Sequence, residues 1–337
     1  MKAIFLCNDR EKINYVFSDA EKKRLSSLVD IDTEKIYTYE SLHNEKHLFS
    51  DVEYIFSTWG IPCKQVPENF VGEYLPNLKA VFYAAGSVKH FANYYYSHGV
   101  RIFSAYAANA IPVAEFTVAE IILANKGFFE AARSYNCCDS RHPASAESNK
   151  HNGNYLANVG VIGAGAIGKH VIKLLSQYKL NILVYDKFLS EDDVMALGAK
   201  KADICEIFKT CDVISNHLAN VPETVGIFKK EHFSSMKPHA TFINTGRGAQ
   251  VNERDMLDVL EERNDIMALL DVTANEPPTN DNRFYSLNNV ILTPHIAGSR
   301  SRETERMAEY MIDEFERYLK GEKLLYEITP QMLDTMA

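Results

Sequence analysis

Ten short runs of β-branched, aromatic and aliphatic residues recur along the chain and set the strongest limit on its fold: KAIFLC, VEYIFST, LKAVFYA, VRIFSA, NVGVIG, NILVYD, CDVISN, ATFINT, DIMALLDV and NVILT. Runs this short and continuously apolar match strands covered on both faces. Amphipathic or charged segments such as ERDMLDVLEERN lie between them and read as crossover helices. The pattern therefore predicts the α/β class, with doubly wound parallel sheets. A chain of 337 residues is long for one core and suits two domains.

The natural boundary is NAIPVAEFTVAEIILANKGFFEAARS, where Ala114, Val118, Ile121, Ile122 and Phe129 form one helical apolar face. The polar stretch YNCCDSRHPASAESNKHNGN follows without periodicity and is expected to be a surface crossover loop, with a new strand unit starting at Asn158. The last helix, SRETERMAEYMIDEFERYLKG, lines up Ala308, Met311, Ile312, Phe315 and Leu319 and stops at Gly321.

Lys and Arg total 36 against 45 Asp and Glu, a net charge of −9 that argues against a nucleic-acid-binding surface. No run of about 18 apolar residues appears, and MKAIFLCNDREK turns polar too soon for a secretory signal, so neither a membrane span nor export is expected. The six cysteines form no CxxC pair and read as reduced cytosolic thiols. Cys137 and Cys138 are adjacent, an arrangement open to redox or metal chemistry, but no ligand set stands near them in sequence.

NVGVIGAGAIGKHVIKLL places Gly163-x-Gly165-x-x-Gly168 between a strand and a helix, with Ala166 and Ile167 at the helix start. Glycines in that context give a tight turn, close backbone approach to a pyrophosphate and close helix–strand packing. Asp186, 23 positions after Gly163, ends the next strand run, where a carboxylate accepts from ribose hydroxyls and repels a 2′-phosphate. NAD is the expected cofactor, with Lys187 beside the aspartate leaving room for dual preference.

Three further strand runs end in polar groups: Arg247 between two glycines, Asp271 and Glu276 in ALLDVTANEPP, and His295 in LTPHIAGS. Reduction of a 2-keto acid needs a cation for its carboxylate and carbonyl and an acid for the new alkoxide. Arginine and histidine fill those roles, and a carboxylate beside the histidine favours its cationic form, with no metal required.

The motifs VIGAGAIG, NTGRG-x-x-VNE, DV-x-x-x-EPP and NNVILTPHIAG, in this order, make the chain similar to the D-isomer-specific 2-hydroxyacid dehydrogenases over nearly its whole length. The resemblance implies two doubly wound domains, Rossmann-type for NAD and flavodoxin-like for substrate, with the active-site cleft between them. Residues 1–108, completed by 300–337, would form the substrate domain and 109–299 the NAD domain. Arg247 would bind and polarise the substrate, His295 act as general acid/base, and Glu276 tune it. Asp271 would hold the nicotinamide carboxamide, Thr245 and His217 line the cofactor cleft beside His295, and Ala85 and Gly86 receive the substrate carboxylate. A cytoplasmic homodimer acting on a small 2-keto or 2-hydroxy acid is implied, without nucleic-acid or membrane partners.

Thr273 and Asn252 depart from the family's commoner phenylalanine and aspartate, and Ser87-Val88-Lys89 replaces its usual continuation after the anion-binding turn. Trp59, in a strand-end loop, is placed either to wall the substrate pocket or simply to pack. Two other readings stay open: a dinucleotide-sensing protein of the corepressor type, and a dehydrogenase of a phosphorylated substrate.

Overall fold

The computed structural model describes residues 1–64 and 66–334. The chain divides into two compact units, Met1–Asn109 with Ser299–Ala337, and Ala110–Gly298.

In the first unit, β1 (Lys2–Leu6), β2 (Ile36–Tyr37), β3 (Val52–Ser57), β4 (Ala80–Tyr83) and β5 (Arg101–Ser104) pair in parallel in the order β2-β1-β3-β4-β5, the flavodoxin-like arrangement. Alternating residues serve opposite faces, so Ile4, Leu6, Ile55 and Val81 enter one core while Phe5, Phe56, Phe82 and Phe103 enter the other. The second core is an aromatic stack, with the Phe82 and Phe103 rings 4.7 Å apart and covered by Met311 and Phe315 of helix Glu303–Lys320. That helix ends at Gly321, whose φ of 67° is the left-handed conformation that favours glycine. Trp59 packs, partly buried, against both cores of this unit.

The sheet is not wholly parallel. A thirteenth strand, β13 (Glu327–Ile328), runs antiparallel to β5 at the edge. The chain returns to the sheet directly after the helix, without a crossover that would restore direction. Arg101 grips Glu327 through two bonds of 2.7 and 2.6 Å, and the buried Glu314 accepts the N–H groups of Leu325 and Tyr326.

The second unit holds β6 (Tyr155–Ile162), β7 (Lys179–Tyr185), β8 (Lys200–Lys201), β9 (Val213–Asn216), β10 (Thr241–Asn244), β11 (Met267–Leu270) and β12 (Val290–Leu292), all parallel. Their order, β8-β7-β6-β9-β10-β11-β12, reverses direction between β6 and β9. Such a switch point opens a crevice at the carboxyl ends of the strands, where open α/β sheets bind ligands.

Two expectations are corrected, the polar stretch read as a loop and the start of β6. The polar stretch after the boundary contains a helix, Arg141–Ser148, packed beside helix Phe128–Ser134 with Ala144 buried. Pro143 stands in its first turn, where a missing N–H costs nothing, and two alanines follow among polar residues, so no long apolar stripe advertises it. Helix Tyr106–Ala124 is, by length and composition, apolar enough to cross a membrane. Its Ala114, Ile121 and Ala124 are instead packed in the core of the second unit with Val161 and Ile243. β6 also begins at Tyr155 rather than Asn158.

Candidate active site

Every candidate residue of the second unit lies in a loop after a parallel strand or at a helix start. After β6, Gly163 adopts φ 92°, and a Cβ there would stand 2.7 Å from the His217 carbonyl, so the turn and the β9 loop meet backbone to backbone. Gly168 closes the other side, since a Cβ on it would lie 2.0 Å from the Gly163 oxygen. A Cβ on Gly165 would meet nothing within 4 Å, which leaves an open cradle at the start of helix Ala166–Leu175. Asp186, just past β7, accepts the N–H of Ala164 at 2.8 Å and those of Phe188 and Leu189 at 2.8 and 3.1 Å. The aspartate thus fixes the glycine turn as well as presenting its charge there.

His217 follows β9 and is buried, with Nε2 2.8 Å from the Ser215 hydroxyl. Burial pushes its pKa down to about 3, so the ring stays neutral at physiological pH. Its Nδ1 is buried without a hydrogen-bond partner among the described residues. Thr245, after β10, meets the Thr117 hydroxyl of helix Tyr106–Ala124 at 3.0 Å.

Arg247 sits in the same loop and bonds the Gly246 carbonyl through its guanidinium at 2.7 Å. Burial lowers its pKa from the usual arginine value, and nearby Glu276 partly opposes that. The loop's shape comes from a buried amide network invisible to motif reading. Asn216 Nδ2 donates to Asn244 Oδ1 at 2.9 Å and to Gln250 Oε1 at 2.5 Å, while Asn244 holds Gly246 N–H and the Arg247 carbonyl. Asn216 and Asn244 each end an apolar strand, and a polar residue at that register is the signal that marks them. Asn252, the departure from aspartate, caps helix Glu253–Glu262 by accepting the Asp255 N–H, a task asparagine performs as well as aspartate.

Glu276 and Thr273 follow β11. Gly248 is the point of closest approach to this loop, because a Cβ there would lie 1.9 Å from the Thr273 carbonyl carbon and 2.3 Å from Ala274 N. Glu253 accepts the Ala274 N–H at 2.6 Å and tethers the same loop from the helix side. Gly248→Ala is therefore expected to push the Arg247 and Glu276 loops apart. The expected cost is about 2–3 kcal/mol, read as a Tm lowered by roughly 5–10 °C, with kcat/KM down about a hundredfold. A variant with wild-type Tm and rate would show that the close approach is unimportant.

His295 follows β12 and adopts φ 55°, uncommon for a residue with a side chain. Asp271 imposes it. The Asp271 carboxylate, almost wholly buried, accepts from Thr293 Oγ1 at 2.5 Å, Ile296 N–H at 2.7 Å and Ala297 N–H at 2.9 Å. Its backbone carbonyl takes the His295 N–H at 3.1 Å. Three charge-assisted bonds outweigh one strained dihedral. The imidazole Nδ1 then lies 2.7 Å from Glu276 Oε2. The structure thus gives Asp271 a place in the histidine turn that the sequence reading did not foresee.

Glu120, one turn beyond Thr117, is another group outside the sequence reading. Burial, with the Asp271 charge second, pushes its carboxyl up to about 8, and its Oε2 is buried without a hydrogen-bond partner among the described residues. Below its ordinary value of 4.5 both folded and unfolded states are protonated. Between 4.5 and about 8 only the unfolded chain ionises, so stability falls as pH rises through that window. Glu120→Gln is expected to flatten this decline, stabilising the protein on the order of 2 kcal/mol at pH 9 relative to pH 5 after screening is allowed for. Thermal unfolding across pH checks it, and parallel Tm profiles for both proteins would refute it.

In the first unit, Ala85 and Gly86 follow β4, and their carbonyls accept the buried Ser104 hydroxyl at 2.9 and 2.5 Å.

A doubly wound sheet with a glycine turn at its switch point defines the second unit as a dinucleotide-binding domain. Residues 120–297 match the D-isomer specific 2-hydroxyacid dehydrogenase family, NAD binding domain, and the chain belongs to that family. It is 37% identical over 179 residues to YoaD of Bacillus subtilis, assigned by name to the 2-hydroxyacid dehydrogenases, covering 52% of this chain and 51% of that one. It is 32% identical over 209 residues to the D-3-phosphoglycerate dehydrogenase of Archaeoglobus fulgidus, covering 61% and 38%. The alignments thus span about half or less of these curated relatives. Among solved structures, the apo D-mandelate dehydrogenase of Rhodotorula graminis shares the fold, with a TM-score of 0.82 at 18% identity over 97% of each chain.

Proposed function

We propose that this protein is an NAD(H)-dependent oxidoreductase interconverting a small 2-keto acid and the corresponding D-2-hydroxy acid. The observation that carries the proposal is the pairing of His295 with Glu276 at 2.7 Å, in a family whose NAD binding domain this chain contains, with the half-buried Arg247 close enough to feel the Glu276 charge.

The residues fit the cofactor. The open face at Gly165 and the helix start at Ala166 and Ile167 suit a pyrophosphate, Asp186 suits ribose hydroxyls, and the Nδ1 of the neutral His217, without a partner among the described residues, suits a polar group of the cofactor. Thr245 lines the same side of the sheet, with Asp271 holding the His295 turn at its far end. When bound, the nicotinamide supplies or accepts the hydride.

Arg247 receives the substrate carboxylate and polarises the 2-keto oxygen, and its partial removal from water strengthens its attraction for an anion while disfavouring the unpaired cation. Glu276, bonded to Nδ1, orients the His295 ring and fixes the proton there, so that Nε2 is the atom exchanging a proton with the alcohol oxygen. In the first unit, the Ala85–Gly86 turn, anchored by Ser104, is the proposed anion-binding loop. We further propose a cytoplasmic homodimer.

The test is NADH oxidation by the purified protein against glyoxylate, hydroxypyruvate, pyruvate, longer 2-keto acids and a phosphorylated 2-keto acid, repeated with NADPH. Turnover with NADH on at least one acid is expected. Absence of turnover on all of them, with a cofactor-dependent change of oligomer size, would instead support a dinucleotide sensor.

A further inference from the structure

In the second unit the cofactor turn and the candidate catalytic groups lie beyond the carboxyl ends of the strands. The same unit holds a cavity of about 370 Å³ at the amino ends, a volume at the lower end of small-ligand pockets. Asp212 stands just before β9, and Lys237, Pro238 and His239 stand shortly before β10. The end of helix Tyr106–Ala124 and residues 150–152 contribute the rest of the wall. None of the lining residues belongs to the glycine turn or to the loops that carry Arg247, Glu276 and His295.

The wall carries more donors than it satisfies. Lys237 Nζ pairs with Asp212, which also accepts Asn152 Nδ2 at 3.0 Å and the Asn158 N–H at 2.8 Å. That carboxylate is thereby committed, while an ammonium has further N–H groups to give. Lys150 meets Glu147 in an exposed pair, which contributes little and is readily exchanged. Two histidine rings approach each other with centroids 5.8 Å apart. His151, its side chain 5% exposed, is seated on Gly127, where a Cβ would lie 2.4 Å from the ring. Burial holds the His151 ring below its ordinary pKa, and Glu130, with Oε1 3.6 Å from Nε2, opposes that. His239 adopts φ 64°, uncommon for a residue with a side chain, and its N–H donates to the Asp265 carbonyl at 3.0 Å. The Asp265 carboxylate is itself taken by Arg263. The His239 ring has no hydrogen bond among the described residues.

One acceptor is left over as well. Asn125 lines the cavity and is only 2% exposed. Its Nδ2 donates to Asn154 Oδ1 at 3.1 Å, outside the wall, and the two ends of an amide point apart. Its Oδ1 is buried and accepts from no group among the described residues. A simple anion would leave that oxygen unpaired, a cost that buried polar atoms seldom carry. We propose that the cavity is a binding site for a small oxyanion that also carries an O–H group. Lys237 and the His151 and His239 rings take the negative oxygens, and Asn125 Oδ1 accepts the O–H. Hydrogen phosphate has this pattern, and so does a 2-hydroxy carboxylate. Sulfate and acetate have the charge without the donor. The site stands apart from the proposed reaction, because no group of that reaction lines it.

The test is calorimetric titration of the full-length protein at pH 7 with inorganic phosphate, glycolate, sulfate and acetate in turn, at matched ionic strength, with and without saturating NADH. One equivalent of phosphate or glycolate is expected to bind with a Kd of about 1 mM or tighter, and whichever binds names the source. Sulfate should bind at least about tenfold more weakly than phosphate, and acetate than glycolate, for want of the bond to Asn125. Saturating NADH should leave this binding in place. His239→Gly, which suits φ 64° better than histidine, should keep or raise the Tm while weakening the anion at least about tenfold. Asn125→Leu should bind phosphate and sulfate alike, with its Tm checked alongside. No saturable binding of any of the four anions, sulfate bound as tightly as phosphate with acetate matching glycolate, displacement by NADH, or unchanged affinity in a folded His239→Gly protein would each overturn the proposal.

Discussion

Replacement of His295 by alanine is expected to lower kcat for reduction of the preferred 2-keto acid by about a thousandfold, while the Kd for NADH changes less than about threefold. In the proposed mechanism the imidazole exchanges a proton with the substrate oxygen, so its loss would remove transition-state stabilisation rather than cofactor affinity. Glu276→Gln should cost less, roughly ten- to a hundredfold, because the amide still accepts from Nδ1 at the observed 2.7 Å but brings no charge. The ordering matters more than either value. Stopped-flow reduction with NADH binding followed by fluorescence separates the two effects. A His295→Ala enzyme with wild-type kcat would sink the assignment.

Arg247→Ala should reduce kcat/KM for 2-keto acids by at least about a thousandfold, and Arg247→Lys should recover little of it. The reason is geometric: lysine keeps the charge but not the planar fork that takes a carboxylate and a carbonyl oxygen together. Stability should move in the opposite sense. Burial lowers the Arg247 pKa, the mark of a cation held with incomplete compensation, and Glu276 keeps enough solvent contact to tolerate losing its neighbour. Arg247→Ala is thus expected to unfold at the wild-type temperature or slightly above while losing its activity. A variant that keeps its kcat/KM would remove Arg247 from the site. A large drop in Tm would assign it a structural role instead.

The pattern of apolar runs and the glycine spacing carried the α/β class and the position of the dinucleotide turn, because both rest on short-range constraints. A parallel strand buried on two faces must be apolar throughout, and a turn that meets the His217 backbone at Gly163 admits no side chain. Elements whose stability is non-local were harder to read. The two-residue edge strands β2, β8 and β13 are too short to show a period, and β13 is held by Glu314 and Arg101 from elsewhere in the chain. Helix Arg141–Ser148 was hidden by its polar composition and its proline.

The candidate site divides the same way. Arg247, Glu276 and His295 can be picked out from chemistry alone, since few side chains bind a carboxylate or exchange a proton near neutral pH. Their residue types and order belong to the sequence. What holds them in place does not. The Asn216–Asn244–Gln250 network and the Asp271 clamp that sets His295 at φ 55° arise only when distant strand ends converge, and the environment of Glu120, whose Oε2 has no partner among the described residues, only when helix Tyr106–Ala124 packs. A buried polar side chain has no meaning until its partners are known, because the cost of leaving it unbonded is set by its neighbours and not by its own identity. The sequence determined which groups are available for the chemistry. The tertiary structure decided which of them are charged, neutral or already committed to one another.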